Sequence, residues 1–275
     1  MKQMYKDGIK VLAIGNSFSQ DAMCYLYDLL CQAGVNKNSI TLVNACIGGC
    51  DLYTHAQNVR SNASAYIRQT FYYGGNMQIS EQLYSLKDLI KSQAWDVITL
   101  QQSSAGSGNI YTYNADLEYV VKYIKTHAVN PLFRLGWHMT WAYCENPPSI
   151  HPNFADYGFN QKRMYDMICG AVKNRILPSG AFDFVISSGT AIQNVRNYFG
   201  DILTNAEDGF HLNNLGRYIA AASWACALGC NIENLTAPYS ASSDGPAVLI
   251  DKDMLTKIVK SVNYAADSPF TLIQG

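Results

Sequence analysis

The sequence predicts an α/β fold: a three-layer α/β/α sandwich around a mostly parallel, flavodoxin-like sheet of about five strands. Three observations carry this prediction. Short β-branched and apolar runs recur along the chain, segments with helical periodicity separate them, and glycines or polar turns end most of these elements. Strands that alternate with helices form crossovers between parallel strands, and helices then cover both faces of the sheet.

Five segments have the composition of buried strands. The first is Ile-Lys-Val-Leu-Ala-Ile, which ends at Gly15, and the second ends shortly before Gly48-Gly49. The third precedes a loop rich in Ser and Gly, the fourth follows Pro131, and the fifth follows a helical segment. The predicted strands span residues 9–14, 40–45, 95–100, 132–137 and 182–187.

Helical periodicity predicts five helices between and after these strands. Residues 54–75 are polar and rich in Tyr and receive no assignment, whereas the prolines within residues 141–153 predict a loop. No repeat, low-complexity tract or linker divides the chain, so we expect a single domain over residues 1–275. The predicted helices span residues 21–33, 80–92, 115–127, 157–173 and 213–228.

Charge and composition restrict the partners of the chain. It has 48% hydrophobic residues, 15% charged residues and a formal net charge of −1, so it has no electrostatic reason to bind nucleic acid or an anionic membrane. The 19 Tyr and 4 Trp offer flat faces that suit a sugar or an aromatic ligand, although they suit a protein core as well. The oligomeric state is left open.

Neither a metal nor a cofactor is expected. The eight cysteines lack zinc-ligand spacing, and the His, Asp and Glu residues form no ligand cluster. Residues 104–108 are rich in Gly but lack the Lys of a phosphate-binding loop. The thiols are predicted to act as small hydrophobes, with disulfides as the alternative in an exported protein.

The beginning of the chain predicts its compartment. The first eight residues contain no apolar signal-peptide core, and no later segment reaches transmembrane length. As written, the sequence therefore predicts a cytoplasmic protein. A mature chain that has lost an export signal would instead be periplasmic or secreted.

Two short motifs carry chemistry, and the first is Gly15-Asn16-Ser17-Phe18-Ser19 after the first strand. A serine in a turn between a strand and a helix exposes its Oγ, and the helix N-terminus places N–H groups nearby. Taken alone, this segment favours a simpler role for Ser17 as the cap of the helix.

The second motif is Asp208-Gly-Phe-His211, just before the last predicted helix. An Asp three residues before a His can accept from the imidazole and fix its tautomer, which leaves the other ring nitrogen free to take a proton from a serine. An Asp-capped turn with an incidental His is the alternative. The two motifs together favour a triad of Ser17, His211 and Asp208.

These motifs resemble those of the SGNH hydrolases, also called GDSL esterases and lipases, in order and spacing over roughly residues 11–228. The first block of that family is Gly-Asp-Ser-Leu/Phe-Ser, the last is Asp-x-x-His, and the second is an Asn-rich turn that ends in Gly. Here the second block is matched by Asn44-Ala-Cys-Ile-Gly48-Gly49. The variant motifs resemble an uncharacterised branch found in gut bacteria.

The resemblance implies roles for individual residues. Ser17, Asp208 and His211 correspond to the catalytic triad. The oxyanion hole is expected to contain the backbone N–H groups of Ser17 and Gly49, and Gly48 is the weaker candidate of the two glycines.

The chain departs from the family pattern at two places. Asn16 replaces an Asp whose role in the family is mainly structural. The third block is normally Gly-x-Asn-Asp, whose Asn donates into the oxyanion hole, but here the third strand runs into Gln101-Gln102-Ser-Ser. Since losing one such donor costs about 10²–10³ in rate, an active enzyme needs a replacement, and we favour the amide of Gln102 over that of Gln101.

The function implied is hydrolysis of an ester through a covalent serine intermediate. We expect a small acyl group, acetyl first, on a carbohydrate, because aromatic side chains after the fourth strand suit stacking on a sugar. A lipid esterase or a thioesterase is the alternative within enzymes. A non-catalytic carbohydrate-binding relative is the alternative outside them, and the altered third block favours it. The residues expected to contact substrate are Trp141, Tyr143, His138 and His55.

Overall fold

Seven strands form one sheet in the computed structural model, which describes residues 5–148, 151–236 and 250–274. They are β1 (Ile9–Gly15), β2 (Ile40–Cys46), β3 (Tyr66–Phe71), β4 (Met77–Tyr84), β5 (Val97–Leu100), β6 (Arg134–His138) and β7 (Phe184–Ile186). Their order is β4-β3-β2-β1-β5-β6-β7. β1, β2, β5, β6 and β7 are parallel, whereas β3 and β4 form an antiparallel hairpin beside β2.

Helices form two groups around this sheet. They are α1 (Ser17–Met23), α2 (Leu26–Gln32), α3 (Leu52–Ser61), α4 (Leu86–Lys91), α5 (Ala115–His127), α6 (Gln161–Ala171), α7 (Ser188–Phe199), α8 (Asn214–Ala227) and α9 (Lys252–Asp267). α1, α2, α7, α8 and α9 pack together, α6 contacts α7, and α3, α4 and α5 form a second packed group. Right-handed crossovers from β1 toward opposite edges of the sheet place these groups on opposite faces.

The predicted α/β/α sandwich is confirmed. The five parallel strands coincide with the five predicted ones, and their order, β2-β1-β5-β6-β7, is the flavodoxin-like order. β1 lies in the middle, between β2 and β5, and its side chains are almost completely buried. The long apolar runs are therefore strands covered on both faces.

The hairpin is the main correction to the predicted elements. Residues 80–92 are not one helix, because β4 continues to Tyr84 and only Leu86–Lys91 is helical, with Ser85 and Asp88 forming a capping box. β4 is an edge strand with largely exposed side chains, so no buried face imposes a hydrophobic alternation on its sequence.

The remaining differences concern helices. The predicted helix over residues 21–33 is two helices, α1 and α2, and α1 begins earlier than predicted, at Ser17. α3, α7 and α9 were not predicted. The predicted loop 141–153 is irregular over residues 141–148 and at residue 151, a 3-10 helix begins within it at Pro152, and residues 149 and 150 lie outside the described ranges.

Two further findings bear on the sequence predictions. No helix in the described ranges is both long and apolar enough to cross a membrane. All eight cysteines lie within those ranges, and none of them forms a disulfide.

Candidate active site

Ser17 lies directly after β1, where the direction of strand order reverses between β2 and β5. In open α/β sheets, ligands bind at the carboxyl ends of the strands at such a switch point. Asn16 caps α1: its Oδ1 accepts from the N–H of Phe18 at 2.9 Å, and its Nδ2 donates to the carbonyl of Cys50 at 3.2 Å. Asn16, which stands where SGNH hydrolases usually have Asp, thus holds the turn through its side-chain amide.

Gly15 is required by close packing under this turn. A Cβ at this position would lie 2.3 Å from the Oγ of Ser19 and 3.1 Å from the carboxamide of Gln101. Only glycine therefore fits at the end of β1 without displacing the side chains of Ser19 and Gln101.

A continuous hydrogen-bonded chain connects the two sequence motifs. His211 Nε2 lies 2.7 Å from Ser17 Oγ, and His211 Nδ1 lies 2.7 Å from Asp208 Oδ2. The side chains of His211 and Asp208 are 29% and 21% exposed, and Ser17 is half-buried. The three groups have the connectivity of a Ser-His-Asp triad and are accessible to a substrate.

The loop that carries Asp208 and His211 is stabilised from within. Asp208 Oδ1 accepts from the N–H groups of Phe210 and His211, at 2.9 and 3.0 Å. The N–H of Asn205 donates to the carbonyl of His211 at 2.7 Å. Gly209 has a φ of +75°, and a Cβ there would lie 2.5 Å from the sulfur of Cys144, so both conformation and space demand glycine.

The glycine turn after β2 is open. Gly48 and Gly49 are exposed, Gly49 has a φ of +64°, and the turn is closed by a hydrogen bond from the N–H of Cys50 to the carbonyl of Ile47 at 3.1 Å. Ile47 is tied to the nucleophile turn, because its N–H donates to the carbonyl of Gly15 at 3.2 Å. The two backbone N–H groups of the glycines thus lie in the loop beside Ser17.

The two glutamines of the third block are buried in hydrogen bonds to other groups. Gln102 Nε2 donates to Thr112 Oγ1 at 2.9 Å, and its Oε1 accepts from the N–H groups of Leu52 and Ser103 at 3.0 and 2.8 Å. The side chain of Gln102 thus connects the segment after β5 to the start of α3. Thr112 thus accepts one N–H of the Gln102 amide, and the predicted donation into an oxyanion hole falls to its other N–H.

Gln101, the less favoured candidate, is the centre of a buried network under Ser17. Its Nε2 donates to Asn16 Oδ1 at 2.9 Å. Its Oε1 accepts from Ser19 Oγ at 2.5 Å and lies 3.0 Å from His138 Nδ1. Gln101 therefore holds the nucleophile turn from below.

Comparison with known proteins assigns a family. A model of DUF4886, a domain of unknown function, matches residues 10–243. The chain belongs to the DUF4886 family. A crystal structure of a DUF4886 family protein from Bacteroides uniformis ATCC 8492 is 36% identical, with a TM-score of 0.84 over 97% of this chain and 98% of that one.

More distant structures share the fold of this DUF4886 protein. A putative SGNH hydrolase from Slackia heliotrinireducens is 18% identical, with a TM-score of 0.51 over 81% of this chain and 100% of that one. LAE5, an α/β hydrolase enzyme from the metagenome of Lake Arreo, is 11% identical, with a TM-score of 0.50 over 82% and 96%. No curated protein matches the chain.

The residues predicted to contact substrate are all buried in this DUF4886 protein, which contradicts that role. Trp141 is fully buried, stacks on Phe18 at 4.3 Å and donates from Nε1 to the carbonyl of Phe210 at 2.9 Å. Tyr143 is also fully buried, with its hydroxyl 2.9 Å from Ser104 Oγ. Both aromatic residues lie behind the triad and support it.

The two histidines predicted for the pocket are also internal. His138 is buried between Gln101 and Ser188, and burial lowers its pKa to about 3. His55 is buried with Nδ1 3.0 Å from the hydroxyl of Tyr66, and burial lowers its pKa to about 4. Both imidazoles are neutral at pH 7 and are shielded from a substrate.

Sequence reasoning missed the aromatic residues that pack against His211. The rings of Phe210 and Phe18 lie 4.6 and 5.8 Å from the imidazole, measured between centroids. Each of these residues directly neighbours a triad residue in sequence, and that adjacency was the available signal.

No group of three or more metal-ligating side chains occurs in the part of the chain that the structure describes.

Proposed function

We propose that this protein is a serine esterase of the SGNH type that hydrolyses a small acyl ester, with Ser17, His211 and Asp208 as its triad. One observation carries the proposal: two hydrogen bonds of 2.7 Å connect Ser17, His211 and Asp208 at an accessible position. A serine that only caps a helix needs no such pair of partners.

The proposed reaction begins when His211 takes the proton of Ser17 through Nε2 and the serine Oγ attacks the ester carbonyl. Asp208 accepts from Nδ1, fixes the tautomer and stabilises the imidazolium that forms. His211 then gives its proton to the leaving alcohol, which yields an acyl-serine. Water, activated by the same imidazole, hydrolyses that intermediate and restores the free serine.

The proposed oxyanion hole consists of the backbone N–H groups of Ser17 and Gly49, with Gly48 next to them. Ser17 lies in the first turn of α1, whose N–H groups have no acceptor inside the helix. Because the amide of Gln102 is engaged by Thr112, backbone groups are the better-supported donors.

We propose a short acyl group, acetyl first, because aromatic side chains pack closely around the triad. Phe18, which follows the nucleophile, is stacked on Trp141, and the ring of Phe210 contacts His211. The proposed alcohol is a carbohydrate hydroxyl. Since Trp141 and Tyr143 are buried, the support for a bulky polar alcohol comes from the exposed turn at Gly48 and Gly49.

Hydrolysis of nitrophenyl esters from acetate to octanoate by the wild type and Ser17→Ala tests this proposal. Activity that is highest on acetate and absent from the variant would support it, and an acetylated oligosaccharide is the next substrate. A maximum at octanoate would favour a lipid esterase, and a preference for acyl thioesters a thioesterase. Equal rates of the two proteins would overturn the triad.

A further inference from the structure

Asp21 is a buried carboxylate that joins the nucleophile helix to the loop carrying the histidine. It lies on α1, one helical turn after Ser17, and its side chain is 3% exposed. Its Oδ2 accepts from the N–H of Leu212 at 2.8 Å, and its Oδ1 accepts from Arg217 Nε at 2.8 Å. Asp21 thus contacts α8 and the residue directly after His211 at the same time.

The contact of Asp21 with Leu212 is a second connection between helix α1, which carries Ser17, and the loop that carries Asp208 and His211. Asp21 and Leu212 are 191 residues apart in sequence, so their hydrogen bond joins two distant segments of the chain. A displacement of the Leu212 backbone would move His211, whose Nε2 lies 2.7 Å from Ser17 Oγ. The Asp21 carboxylate therefore anchors the backbone directly after His211 to the helix that begins at Ser17.

The energetic cost of this carboxylate suggests a role beyond stability. Burial raises the pKa of Asp21, whereas Arg217 and the N–H of Leu212 act in the opposite direction. Replacing a buried ion pair by apolar residues is often neutral or stabilising, so the pair is weak evidence for a contribution to folding stability. An ion pair that fixes the catalytic loop has a reason to be retained.

We propose that Asp21, held by Arg217, is a positioning residue that sets the geometry between Ser17 and His211. This inference rests on the proposed esterase function.

The test compares Asp21→Asn with a matched variant, Asp201→Asn. Asp201 makes a comparable pair of contacts with other segments: its Oδ1 lies 2.8 Å from Arg196 Nε, and its Oδ2 accepts from the N–H of Glu145 at 2.7 Å. We expect Asp21→Asn to lower kcat about 10- to 100-fold with KM changed less than about threefold, because a misplacement near 1 Å costs that much. Asp201→Asn should keep kcat within about threefold of the wild type.

A further readout separates positioning from folding. Labelling of Ser17 by a fluorophosphonate should slow in parallel with kcat in Asp21→Asn, because both reactions need His211 in place beside Ser17 Oγ. An unchanged kcat and labelling rate in Asp21→Asn would overturn the proposal, whatever its Tm.

A second variant and a parallel control keep the result decisive. If Asp21→Asn does not fold, Arg217→Gln carries the test, with a kcat loss of at least about fivefold expected and an unchanged kcat overturning the positioning role. Ser17→Ala is assayed alongside. Full activity of Ser17→Ala would refute the esterase proposal itself, whereas its inactivity beside an unimpaired Asp21→Asn would refute the positioning role alone.

Discussion

Two Ser-His pairs lie at the same edge of the sheet in the described part of the chain, and they differ in charge and in access to solvent. In the first, His211 joins Ser17 to the carboxylate of Asp208, with both bonds at 2.7 Å. In the second, His138 lies 3.2 Å from Ser188 Oγ and 3.0 Å from Gln101 Oε1. The connectivity is the same, with a carboxamide in place of a carboxylate.

Charge and access separate the two sites. A neutral amide cannot stabilise an imidazolium as Asp208 can, and burial lowers the pKa of His138 to about 3. Ser188 is completely buried, whereas Ser17 is half-exposed beside an open glycine turn. Hydrogen-bond connectivity alone therefore does not define a nucleophile, because the histidine must also become charged where a substrate can reach it.

The largest effect should distinguish the two serines. We expect Ser17→Ala to lose at least about 10³-fold in kcat, because the attacking oxygen is removed. Ser188→Ala should keep activity within about threefold, since its hydroxyl only contacts the buried neutral imidazole of His138. Steady-state ester hydrolysis and fluorophosphonate labelling measure both. A comparable loss in the two variants would mean that the buried pair takes part in the reaction.

The next effect should distinguish the two partners of the histidines. Asp208→Asn retains the size of the side chain but removes its charge and favours the wrong tautomer of His211, so kcat should fall by about 10³–10⁴. Single-turnover kinetics on nitrophenyl acetate would place the loss in acylation. A decrease below tenfold would show that Asp208 acts only as a loop cap.

A smaller effect should separate Gln101 from Gln102. Gln101→Ala removes a buried support of Asn16 and Ser19, and we expect a loss of about 10- to 100-fold in kcat together with a lower Tm. Gln102→Ala should change kcat by less than about fivefold, because its amide is bound to Thr112. A loss of about 10²–10³ in Gln102→Ala at unchanged KM would instead restore Gln102 as an oxyanion donor.

The two buried histidines should affect acid stability rather than turnover. The folded protein holds His55 and His138 neutral, with pKa values of about 4 and about 3, whereas an unfolded histidine takes up a proton near pH 6.5. Their contribution to stability is complete above pH 6.5 and is lost as pH falls toward 4, by roughly 3 kcal/mol for each residue.

Urea unfolding of the wild type and His138→Gln at several pH values checks this prediction. The free energy of unfolding of the variant should fall less steeply between pH 6.5 and 4, because one of the two buried imidazoles is gone. His55→Gln serves as the parallel case at the other buried site. Identical slopes for wild type and both variants would contradict the assignment of these histidines to the acid response.

Local patterns in the sequence determined the parallel strands, the turn at Ser17 and the Asp208-His211 motif, whereas the pairing of Ser17 with His211 was predicted from the two motifs together and from the resemblance to SGNH hydrolases. These features follow from apolar runs, glycines and short spacings, which act over a few residues. The hairpin of β3 and β4 escaped prediction because an exposed edge strand needs no hydrophobic alternation.

Tertiary structure alone decided which polar side chains are accessible. Gln101 and Gln102 are neighbours in sequence, yet one supports Asn16 and the other Thr112, because partners from distant segments orient each carboxamide. The same holds for Trp141, His138 and the link from Asp21 to Leu212. Burial and hydrogen-bond direction depend on which segments the fold brings together, and no local pattern encodes them.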